Sequence, residues 1–252
     1  MLSIRRKTEV SLEKEIKVLY LDDQEYQLEF AKIFLEKFDD SIKVENVTSP
    51  SEALKRLMVE DFDVVVSDYL MDEMTGIEFA EKLREFSDLP LILYTGYGSE
   101  DIAESTFSSG VDDYIKKESG PGHFRVLLNR IRGLAEKRLI ENLYKKMVEN
   151  SKEGIFVLSG DDVVYANRSL MELVGCDDLG CPIIRELGET TSARISKYFS
   201  NISEYYGYFL FEFDLKKSGR TTTYEVSVST FSYFDRPSYI CYLRNKAHKT
   251  SN

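Results

Sequence analysis

Between residue 16 and about residue 135 the chain alternates a short, unbroken apolar run with a longer amphipathic one, five times over, and this rhythm constrains the fold more than any other feature. "IKVLYLDD" (16 to 23) reads as a strand and "QEYQLEFAKIFLEKF" as a helix with Leu28, Ile33, Phe34 and Leu35 as its apolar positions. "IKVENVT" is a second strand, and "SPSEALKRLMVE", opened by a capping serine and a proline, a second helix. "DVVVSDY" and "TGIEFAEKLREF", then "LPLILYTG" and "SEDIAESTFSSG", then "VDDYIKK" and a long helix from about Pro121 complete the series. Strands without polar alternation are buried on both faces, so the pattern predicts an α/β domain with a doubly wound, five-stranded parallel sheet.

In such sheets ligands bind at the carboxyl ends of the strands, beside the point where strand order reverses. The first predicted strand ends in Asp22 and Asp23, the third in Asp68, the fourth in Thr95 and Gly96, and the fifth in Lys116. Three converging carboxylates repel one another in a half-buried cleft, and an oxygen-seeking divalent cation, Mg²⁺, is their natural complement. The ammonium and the hydroxyl suit phosphoryl oxygens, although a lysine there could also serve only to neutralise an aspartate.

The rest of the composition narrows the function. With 44 acidic and 33 basic residues the net charge is −11, which disfavours nucleic acid and anionic membrane surfaces as partners. The longest apolar runs are strand-sized, well short of the roughly 20 residues of a membrane span, which points to a cytoplasmic protein. Two histidines, His123 and His248, leave little material for a histidine metal site or a Ser-His-Asp relay. Cys176, Cys181 and Cys241 lack zinc-site spacing and read as free, structural thiols.

Residues 151 to 252 have a different grain. "GIFVLSGDDVVYANRSLMELVG" reads as a hairpin followed by a short helix, and "TSARISKYFSNI" as a helix. Three aromatic and β-branched runs close the sequence, the first two joined by the turn "KKSGR", giving an α+β domain with a mostly antiparallel sheet. The connecting helix carries two apolar faces: Phe124, Leu127, Ile131 and Leu134 on one side, and Ile140, Leu143 and Met147 nearly opposite.

The ordered motifs "LYLDDQ", "VVVSDYLMDEMTG", "LILYTGYG" and "DDYIKK" resemble those of the receiver domain of two-component response regulators, a flavodoxin-like module phosphorylated on aspartate. The resemblance implies that Asp68 is the phosphoacceptor. It further implies Mg²⁺ held by Asp23, with Asp22 helping through water, by Asp68 and by the carbonyl of Leu70. Thr95 and Lys116 would contact the phosphoryl group, and Thr95 with Tyr114 would form the switch. The family often has proline after its lysine, where this chain has Lys117, leaving the isomer of that bond open. At the positions two beyond the acceptor and two beyond the threonine stand Leu70 and Tyr97, neither suited to orient a hydrolytic water, so the phosphorylated state is expected to be long-lived.

Residues 140 to 246, with "YAN" before a short helix, resemble a PAS domain. The expected organisation is a receiver over 1–135, a linker helix over 136–150 and a PAS domain over 151–252. The expected function is that of a response regulator, a signalling protein and not an enzyme, which takes phosphate from a partner histidine kinase and relays the change through the PAS domain to another protein. A homodimer through the linker helix or the PAS domain fits the second apolar face. The competing readings are a PAS sensor of a small ligand modulated by its receiver, and the front end of a hybrid histidine kinase.

Overall fold

The computed structural model describes residues 15–96, 109–118, 120–199, 208–217, 220–233 and 236–245. These fall into two compact units, Met1–Glu141 and Asn142–Asn252.

In the first unit, β1 (Ile16–Leu21), α1 (Glu25–Phe38), β2 (Ile42–Val47), α2 (Pro50–Leu57), β3 (Val64–Ser67), α3 (Gly76–Arg84), β4 (Leu91–Thr95) and β5 (Asp113–Lys116) alternate as the sequence predicts. The helix expected over 99 to 110 falls almost wholly outside the described residues, as does Tyr97. The sheet is parallel, in the order β2-β1-β3-β4-β5. All four residues of β3 and all five of β4 are buried, the condition that made their sequences unbroken apolar runs.

The pleat sends alternate residues to two cores. Val18, Tyr20, Val64, Val66, Ile92, Tyr94 and Ile115 face α1 and the helix after β5, while Leu19, Leu21, Val65, Leu91 and Leu93 face α3. On α1 the buried residues are Leu28, Ala31 and Leu35. Ile33, an apolar position of the same helix, is 58% exposed, because helical spacing places it off the stripe. Ser49 caps α2 by accepting from the Glu52 backbone N–H, and Thr75 with Glu78 forms a capping box at the start of α3. Gly76 has to be glycine: a Cβ there would lie 2.4 Å from the Asp68 carbonyl oxygen, so the loop after β3 folds directly onto the strand end.

The long helix α4 runs unbroken from Gly122–Glu149, through Gly133. Phe124, Leu127, Leu128, Ile131 and Ala135 are buried in the first unit's core. Beyond them Ile140, Leu143, Tyr144 and Met147 are all more than half exposed.

The second unit contains β6 (Gly154–Ser159), β7 (Asp162–Ala166), α5 (Arg168–Val174), α6 (Pro182–Phe199), β8 (Tyr208–Lys217), β9 (Arg220–Tyr233) and β10 (Arg236–Asn245). Its sheet is antiparallel throughout, in the order β7-β6-β10-β9-β8, so the last strand is central and the first pairs beside it. Helix α6 begins at Pro182, about nine residues before the helix the sequence suggested; a proline is well suited to a first turn, whose N–H groups have no helical partner. The cysteines correct the expectation of three free thiols. Cys176 is joined to Cys181 across the connection between α5 and α6, with Cα atoms 6.0 Å apart, and only Cys241, buried, is free. Gly175, left-handed at the end of α5, turns the chain so that the two thiols meet.

Candidate functional site

The register of the parallel sheet gathers the acidic residues. Leu21 pairs with Ser67 across β1 and β3, so the next residues, Asp22 and Asp68, stand side by side at the carboxyl edge where the strand order reverses. The Asp68 backbone N–H donates to Leu21 O at 2.8 Å, continuing the ladder one step beyond the strands. Asp22 is 1% and Asp68 8% exposed.

The cation facing them is Lys117. Its Nζ lies 2.7 Å from Asp22 Oδ2 and 3.0 Å from Asp68 Oδ1, bridging the two carboxylates. Lys116, the lysine singled out from the sequence, ends β5 with an exposed side chain. Strand alternation is the reason. Tyr20, Val66, Tyr94 and Ile115 share one face of the sheet, and Asp22, Asp68 and Lys117 continue that face two residues further along their strands. Lys116 belongs to the face of Tyr114, which packs on the opposite core. The Lys117 N–H donates to Thr95 O at 2.7 Å, extending the β4–β5 pairing and turning the side chain inward. Counting two residues on from the apolar Ile115 is the sequence signal that separates the two lysines. The residue in the place of the family's proline is therefore Glu118, and the described residues contain no cis peptide bond.

Thr95 is fully buried at the end of β4, and Tyr114 is partly buried, its phenol raised above its ordinary pKa by burial. Leu70 is 42% exposed in the loop that Gly76 closes. The electrostatics of the cleft are unbalanced. Burial raises the Asp22 carboxyl above its ordinary value, against the opposing pull of Lys117 and of the Gln24 N–H, which donates to Asp22 Oδ1 at 3.0 Å. Asp23 Oδ1 is buried with no hydrogen-bond partner. An all-oxygen donor set with an orphaned carboxylate oxygen fits a hard divalent cation. Among the described residues no three acidic, histidine or cysteine side chains can enclose an ion by themselves.

A sequence-family model described as the response regulator receiver domain matches residues 18–129, and one described as a PAS domain matches residues 142–205. The chain carries a receiver domain followed by a PAS domain. The receiver is the parallel-sheet unit with its acidic strand edge, and the PAS match begins within α4 and runs past α6. The transcriptional regulatory protein SrrA of Staphylococcus aureus is 32% identical over 117 residues, which is 46% of this chain and 46% of that protein; the chain thus matches about half the length of that relative. Among solved structures, a CheY-like receiver domain protein from Methanospirillum hungatei is 27% identical, covering 50% of this chain and 98% of its own, with a TM-score of 0.45. The receiver domain of a Francisella response regulator is also 27% identical, over 49% of this chain and 98% of its own, with the same TM-score. No helix of the described residues is long and apolar enough to cross a membrane.

Proposed function

We propose that this protein is a phosphoacceptor of a two-component system, taking a phosphoryl group on Asp68 from a partner histidine kinase. The observation that carries the reading is the Lys117 ammonium bridging Asp22 and Asp68 at the carboxyl edge of the sheet. Asp68 Oδ attacks phosphorus, the P–N bond to the donor imidazole breaks as the P–O bond forms, and the ring, which carries a proton on its other nitrogen, takes the P–N electron pair and leaves as neutral imidazole. Lys117, not Lys116, then neutralises the phosphoryl oxygens, and the Thr95 hydroxyl donates to another. Asp22, Asp23, Asp68 and the Leu70 carbonyl would hold Mg²⁺, with water completing the shell. Bound there, the ion supplies the positive charge that two buried carboxylates, the half-buried Asp23 and an incoming phosphoryl group lack.

The expected outcome with acetyl phosphate is Mg²⁺-dependent labelling of the full chain that is abolished in Asp68→Asn. Equal labelling of the variant would end the assignment. Leu70 offers no acid or amide to orient a hydrolytic water, which supports a long-lived phosphorylated state.

The phosphoryl signal passes through the PAS domain to a protein partner of the cytoplasm. The acidic balance of the chain favours a protein over nucleic acid as the target. Helix α4 is continuous between the two units, and its exposed seam of Ile140, Leu143, Tyr144 and Met147 has the i, i+3, i+4, i+7 spacing of a helix-pairing face, which supports a homodimer there. Replacing Leu143 and Met147 by glutamate together is expected to yield monomers by sedimentation while acetyl phosphate labelling stays at the wild-type rate. A dimer that survives both charges would place the interface elsewhere.

A further inference from the structure

Behind Lys117 lies a hydrogen-bonded pair that the phosphoacceptor reading does not use. Tyr94, one residue before Thr95, is 1% exposed. Its side chain points to the same face as Lys117, whose Nζ lies over the tyrosine ring at 5.6 Å from the centroid, within the range of a cation–π contact. The far end of the ring is tied down: the Tyr94 hydroxyl is hydrogen-bonded to Nδ1 of His123, in the first turn of α4. The two rings stack at 22° with centroids 5.7 Å apart, and the imidazole rests 4.1 Å from the ring of Phe124. Burial lowers the His123 pKa, which favours the neutral ring, the form able to accept. In the Nε2–H tautomer the tyrosine hydroxyl donates to it, which enriches the ring under the ammonium. A cavity of about 270 Å³ borders Lys117 and His123, so the lysine stem has open volume into which it could swing away from Asp68.

We propose that Tyr94 and His123 are positioning residues for phosphoryl transfer, their hydrogen bond fixing the ring that steadies the Lys117 ammonium against Asp68. The inference deepens the phosphoacceptor reading and rests on it. Because His123 belongs to α4, the same bond makes the first turn of the long helix part of the apparatus that holds the lysine.

The test is the rate of acetyl phosphate labelling of the full chain in Mg²⁺, for wild type, Tyr94→Phe, His123→Ala, the two combined, and His123→Asn, whose amide oxygen stands near the Nδ1 position. Tyr94→Phe and His123→Ala should each slow labelling by about fivefold, the weight of one buried hydrogen bond. The double variant should be no slower than either single one, and His123→Asn should recover at least half of the rate. Thermal unfolding of each variant separates positioning from folding, and the His123 pair of variants carries the test if Tyr94→Phe proves unstable. If wild type labels and Tyr94→Phe labels equally fast, or the single effects multiply, or His123→Asn is as slow as His123→Ala, the positioning pair alone is overturned. If wild type takes no label, the phosphoacceptor reading falls and the pair falls with it.

Discussion

Lys117→Ala protein is expected to label from acetyl phosphate about a hundredfold more slowly than wild type, the cost of removing one preorganised charge from a transferring group, while Lys116→Ala stays within about twofold. The two lysines are neighbours of the same charge, so long-range electrostatics cannot distinguish them. Only the pleat does: Lys117 lies on the face of Asp22 and Asp68 with its ammonium 2.7 and 3.0 Å from them, and Lys116 is exposed. The same substitution should also alter stability in a pH-dependent way. Asp22 already has its carboxyl raised by burial, and the Lys117 ammonium is the chief influence opposing that rise. Without it the folded protein holds the Asp22 proton more tightly still, so the ionised form opposes folding at neutral pH. An acid whose pKa is raised on folding costs stability above its unfolded value, and the cost vanishes as pH falls below that value. Lys117→Ala should therefore unfold at lower temperature than wild type at pH 7, with the difference narrowing as the pH is lowered toward about 4. Rapid labelling of Lys117→Ala combined with slow labelling of Lys116→Ala would reverse the assignment.

Much of the receiver half is legible in sequence because its strands are buried on both sides. Continuous runs such as "VVV" and "LILYT" have no other stable home than the middle of a covered sheet, and the carboxyl edge of that sheet is where polar residues collect. Asp22 and Asp68 could be placed from that rule alone. The lysine needed one step more, because two lysines follow Ile115 and counting two residues on from it works only if the chain continues its pleat after the last paired residue, as the hydrogen bond from Lys117 N to Thr95 O shows it does. Which apolar residues of α1 are buried is harder to read: in a run as apolar as "FAKIFL" composition hides which residues fall on the stripe, and only the spacing of Leu28, Ala31 and Leu35 reveals it. The Cys176–Cys181 bond was illegible because proximity across a five-residue separation depends on the left-handed turn at Gly175, a backbone event with no signature beyond the glycine itself. Tyr94 and His123 are 29 residues apart, and nothing local to either announces the other.

In the PAS half the largest effect is expected at Asn167. Its side chain is fully buried and every polar atom of it is used. The Oδ1 oxygen accepts from the N–H of Ile155 at 2.8 Å and of Leu170 at 3.0 Å, joining the inner strand β6 to the first turn of α5. The Nδ2 group donates to the carbonyls of Val148 at 2.9 Å and Glu153 at 3.0 Å, fastening the end of α4 and the chain that leads into β6. Alanine removes all four contacts at once: the buried N–H groups of Ile155 and Leu170 lose the oxygen they donate to, the half-buried Glu153 carbonyl loses its donor, and the Val148 carbonyl keeps only the Ser151 N–H. At about 1 kcal/mol or more for each of the three groups left unpaired, the loss is on the order of 3 kcal/mol, a large share of the stability of a domain of this size. Asn167→Ala should thus lower the unfolding temperature of the PAS unit far more than that of the receiver, splitting calorimetric unfolding into two separate transitions. Acetyl phosphate labelling of Asp68 should persist below the receiver's own transition, since none of the four contacts reaches the first unit. If labelling instead disappears together with the PAS transition, the receiver is not an independently folding unit, and a phosphorylation signal could not be treated as arising in one domain and arriving in another.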